Sequence, residues 1–95
     1  MCLPNAVEQI LRNIPPGMAF DSHFVIGQLV QRFSDRYLRF CSRYANSDET
    51  TRTAHQQIGR VINSFNGLLI QRLRFRAFSL NIHGIASPCA AWRRR

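Results

Sequence analysis

The hydrophobic period of this chain changes once, at Asn66-Gly67, and that change separates a helical part from a strand part. Before it, apolar residues recur every three or four positions. One set is Ala6, Val7, Ile10, Leu11 and Ile14, a second is Val25, Ile26, Leu29, Val30 and Phe33, and a third is Ala54, Ile58, Val61, Ile62 and Phe65. Such spacing puts each set on one face of a helix. Beyond Leu68, Leu73, Phe75 and Ala77 alternate with Arg72, Arg74 and Arg76, the two-residue period of a half-buried strand. The expected fold is therefore α+β and mostly helical, with three or four helices followed by a C-terminal β-hairpin.

Local signals set the expected boundaries. Asn5 with Glu8 reads as a capping pair for a first helix over residues 5–14, and Pro15-Pro16-Gly17 must end it because proline cannot extend the hydrogen-bond ladder. Met18-Ala19-Phe20 is read as a short extended piece, and Asp21 or Ser22 as the N-cap of the next helix. The apolar stripe of that helix runs on through Tyr37, Phe40, Cys41 and Tyr44, while Ser34-Asp35 can cap a fresh helix; one long helix or two short ones both satisfy the pattern. Ala45 to Glu49 is turn-prone, with Ser47 or Asp48 to cap a last helix from Thr50 to Phe65. Asn81-Ile82-His83-Gly84 can turn the strand back, Ile85 to Trp92 can return, with Pro88 at an edge or bulge, and Arg93 to Arg95 are expected as a mobile basic tail. With 95 residues, 45% of them hydrophobic, the chain is expected to form one domain over 1–95.

Charge narrows the partner. Thirteen basic residues, all arginine, face five acidic ones, for a formal net charge of +8. A field of that sign attracts polyanions, and the planar guanidinium grips phosphate or guanine with two parallel hydrogen bonds. The start of the chain lacks the pattern of a secretory signal, and no stretch approaches the ~18 apolar residues of a membrane span, so a cytoplasmic protein with no membrane partner is expected. Cys2, Cys41 and Cys89 are odd in number and scattered, which suggests reduced thiols. His23, His55 and His83 come from separate elements without the paired spacing of a zinc motif, so no metal and no cofactor is expected. With few acidic residues, no Gly-rich phosphate loop and no glycine-flanked nucleophile, a non-enzymatic role is expected.

The order helix, extended piece, helix, helix, hairpin resembles the winged-helix (winged helix-turn-helix) DNA-binding family across nearly the whole chain. The resemblance implies that the helix from Thr50 to Phe65 enters the major groove and that the hairpin contacts the backbone. The outward residues Arg52, Thr53, Gln56, Gln57 and Arg60 then meet bases and phosphates, and Arg72, Arg74 and Arg76 meet phosphates from one sheet face. Arg32, Arg36, Arg39 and Arg43, beside the aromatic row Phe33, Tyr37, Phe40 and Tyr44, form a second basic ridge. Phe75, Phe78 and Trp92 are expected in the core rather than stacked on bases. DNA is the expected partner, for a small transcriptional or accessory regulator, and a homodimer suits a module of this size. The alternative is a small interaction or inhibitor protein, of the phage or plasmid type, docking on an acidic protein.

Overall fold

The computed structural model describes residues 2–46 and 49–95. Helix α1 spans Leu3–Asn13. It starts earlier than the Asn5–Glu8 pair implied, because Pro4 is pre-set for the first helical turn and Leu3 is already buried. Glu8 pairs with Arg12 one turn on, at 2.9 Å, instead of capping. Ile14, pushed to extended dihedrals by the proline after it, ends the helix.

Gly17, at φ 88°, turns the chain into strand β1, Ala19–Asp21. Asp21 then caps α2, Ser22–Arg32, accepting a 2.8 Å hydrogen bond from the Phe24 amide. Phe33 leaves the helical region at φ −135°, ψ 45°, so the long apolar stripe resolves into two helices, with α3 at Ser34–Ser42. The break lets Phe33, Tyr37, Phe40 and Cys41 all reach the core beside Val25, Ile26 and Leu29. Helix α4 is Thr50–Asn63. Ser47 and Asp48, expected as its caps, lie outside the described residues. Its buried face is Ala54, Ile58 and Ile62, packed on Ala6, Val7, Ile10 and Leu11 of α1 in one continuous core.

The strands depart from expectation at their centre. Gly67, at φ 85°, follows α4, and β2 covers only Ile70–Arg72. Residues 73–76 are not strand; β3 is Ala77–Leu80, and the return is split into β4, Ala86–Cys89, and β5, Ala91–Arg94. A three-stranded antiparallel sheet has the order β1-β5-β2, and β3-β4 forms a separate hairpin beyond it. Arg72 lies opposite Trp92 and Ala77 opposite Cys89, so four residues, 73–76, face two, 90 and 91. This unequal count breaks the two-residue alternation, and Arg72, Arg74 and Arg76 do not share one sheet face. The hairpin turn falls where expected: Gly84 has φ 76°, and the Asn81 side chain accepts from the amides of His83 and Ile85.

Trp92 lies in the core with 0% exposure, but Phe75 and Phe78 are 69% and 73% exposed, contrary to expectation. Phe75 sits in the irregular segment, and Phe78 stands on the hairpin face turned away from the helices, opposite Pro88. Arg93 to Arg95 are no loose tail. Arg93 and Arg94 belong to β5; Arg94 donates from Nε to the Leu11 carbonyl near the end of α1 at 3.0 Å, and Arg93 donates to Gly17 O at 2.8 Å. The Arg95 amide reaches Leu69 O at 2.9 Å, and its guanidinium contacts Gly67 O. A guanidinium at the carbonyl end of a helix also complements the helix dipole.

Candidate nucleic-acid interface

A groove of about 1210 Å³ runs between α4 and the β-hairpin. One wall is the α4 face carrying Thr51, Arg52, His55, Gln56, Arg60 and Asn63, at helical spacing. The opposite wall brings Arg72 from the end of β2 and Arg76 from the irregular segment, with His83 and Ser87 from the hairpin beyond. Trp92 forms part of the floor, its indole N–H donating to Asn63 Oδ1 at 3.1 Å.

Five of the eight expected contact residues therefore meet in one place: Arg52, Gln56, Arg60, Arg72 and Arg76. Thr53 and Gln57 lie half-buried on another α4 face, and Arg74 does not line the groove. Four guanidiniums line it against a single carboxylate among the described residues, that of Glu49, which pairs with Arg52 at 3.1 Å. That pair is exposed, and such pairs contribute about 0–1 kcal/mol, too little to cancel the field. Arg72 lies over the Trp92 ring at 5.4 Å, which orients its fork at the groove wall. Its backbone amide donates to Asn66 Oδ1 at 2.8 Å, fixing the end of β2.

The second basic ridge does not join this groove. Because the chain breaks at Phe33, Arg32 ends α2 while Arg36 and Arg39 belong to α3 and Arg43 caps it. Arg32 lines a separate pocket of about 340 Å³ beside Ile10, Met18 and Phe24, and stacks on Phe33 at 5.5 Å. Arg36 pairs with Asp35 at 3.0 Å, and Arg43 stacks on Phe40 at 5.3 Å. Phe33, Tyr37 and Phe40 of the aromatic row are buried, and Arg32 and Arg43 lie over two of their rings.

Sequence spacing did not show which side chains the histidines would meet. His55 exchanges a 2.7 Å hydrogen bond with the Tyr37 hydroxyl, and its ring lies 6.4 Å from that of His83. Burial, and then repulsion from His83 and His23, lower the His55 pKa from its ordinary value. Burial likewise raises Tyr37, with Cys41 adding to the effect, so the phenol remains protonated. His23 is held between Ser79 and Ser87, a directly opposed pair on β3 and β4, at 2.8 and 3.5 Å. The Ser79, Ser87 and Cys89 alternation was a signal that these residues share a hairpin face, but nothing local said that α2 would meet it.

No known protein family, characterised protein or solved structure matches the chain. Among the described residues, no helix is long and apolar enough to cross a membrane.

Proposed function

We propose that this protein binds double-stranded DNA without catalysing a reaction, as a small transcriptional or accessory regulator, with α4 in the major groove and Arg72 and Arg76 on the adjacent phosphate backbone. The observation that carries this reading is the convergence of Arg52, Arg60, Arg72 and Arg76, from α4, the end of β2 and the segment leading into the hairpin, on one groove. The sheet order β1-β5-β2, extended by the β3-β4 hairpin, supports a winged-helix mode of docking. Gln56 stands between Arg52 and Arg60, where an amide can pair with adenine while the guanidiniums take guanine or phosphate. In a homodimer, two such helices would address successive half-sites.

Fluorescence anisotropy of a mixed-sequence duplex, titrated at low and near-physiological salt, tests the reading. On such a mixed-sequence duplex, with all four groove guanidiniums resting on phosphates, the log–log salt slope should be about −3.6. Absence of binding at low salt overturns it. That result would favour the second reading, docking on an acidic protein, which draws on a different observation: Phe78 and Leu80 stand 73% and 66% exposed on the outer hairpin face, opposite Pro88 and Ala86.

A further inference from the structure

At the root of the hairpin two segments distant in sequence bring a different set of donors together. Asp21 ends β1 and caps α2, His23 lies in the first turn of α2, and Cys89 ends β4. One ligand atom from each lies within 4.8 Å of the other two. Cys89 is buried and the other two are half-buried. We propose that Asp21, His23 and Cys89 bind a single zinc-class divalent cation, whose fourth position is left to water or to a donor entering from the groove.

The donor types select the ion. Magnesium and calcium take oxygen ligands, whereas a thiolate, an imidazole and a carboxylate together suit zinc, and three protein ligands with one open position is its arrangement in reactive sites. Tetrahedral zinc bonds of roughly 2.0–2.3 Å put neighbouring donors about 3.2–3.6 Å apart, so these three must draw in by about 1 Å, a side-chain rotation. Each side chain can take the role without abandoning its structural one. Asp21 Oδ1 accepts from the Phe24 amide, and an ionised carboxylate has a second oxygen to offer. His23 touches Ser79 at 2.8 Å through Nδ1 and Ser87 at 3.5 Å through Nε2; one nitrogen can coordinate while the hydroxyl at the other orients the ring. Cys89 coordinates as the thiolate, and its proton leaves to solvent. The ion would then tie β4 to the junction of β1 and α2, a link otherwise made by the Ser22 amide on Ala90 O at 3.0 Å and by the His23 contacts.

The test is a titration of the reduced full-length protein with Co2+ alone, followed by Zn2+. The expected result is a thiolate-to-cobalt charge-transfer band with one-to-one stoichiometry, abolished by Zn2+, and a Zn2+-dependent rise in Tm. Cys2→Ser should retain the band and Cys89→Ser should lose it. Asp21→Asn keeps a good helix cap and His23→Gln keeps a hydrogen-bonding group, so both should fold, as circular dichroism would check, yet bind at least about tenfold more weakly. No band in the unaltered protein overturns the proposal. So does a band that survives Cys89→Ser, which would assign the thiolate to Cys2 or Cys41. None of these readouts involves DNA, so their failure is distinct from failure of the groove reading.

Discussion

Arg72, Arg74 and Arg76 alternate in sequence as if equivalent, yet only Arg72 and Arg76 line the groove, and exchanging them selectively tests that difference. The double variant Arg72→Gln/Arg76→Gln removes two of the four groove guanidiniums. Each phosphate contact contributes about 0.9 to the salt slope, so the slope should fall from about −3.6 to about −1.8. Between 50 and 200 mM salt, affinity should then drop roughly 12-fold rather than roughly 150-fold. Arg74→Gln should leave the slope within about 0.3 of the original. Loss of the Arg72 stack on Trp92 costs about 0.5–1 kcal/mol of stability, so urea unfolding should accompany the anisotropy titrations. An Arg74→Gln slope that falls as far as that of the double variant would refute the groove reading, because it would mean that the segment presents all three side chains to DNA alike.

Core and sheet contacts yield further expectations. Ile58→Ala, at a fully buried position on α4, should cost about 2–5 kcal/mol by urea unfolding, and Val61→Ala, half-buried on the same helix, distinctly less. Arg94→Ala should destabilise by about 1–3 kcal/mol, since it removes the donor to the Leu11 carbonyl; an unchanged unfolding midpoint would restore the mobile-tail view of the last residues. His55 is held below its ordinary value of 6.5, so the unfolded chain takes up this proton first as pH falls. Its contribution to stability is therefore present above about pH 6.5 and is lost as pH drops below it. His55→Gln should flatten that part of the stability profile measured between pH 7.5 and 5.5.

The α+β class, the end of α1 at the prolines, the Asp21 cap, the buried stripe of α4 and the turn at Asn81 to Gly84 could all be read from the sequence. Each depends on residues within about one turn of each other, where side-chain spacing and backbone preference act directly. The outward set Arg52, Gln56 and Arg60 was legible for the same reason: helical geometry alone puts them on one face. What the sequence could not decide is pairing across distance. Arg72 to Arg76 alternate like one strand, but setting Arg72 opposite Trp92 and Ala77 opposite Cys89 leaves unequal lengths on the two sides, and only the sheet register reveals it. Arg93 to Arg95 read as a charged tail until β1 and β2 flank β5 and the Leu11 and Gly17 carbonyls supply acceptors. Cys89 stands far along the chain from Asp21 and His23 and becomes their neighbour only when the hairpin folds back over the start of α2. Local spacing determined the elements; packing of one core determined which of their exposed faces came to confront one another.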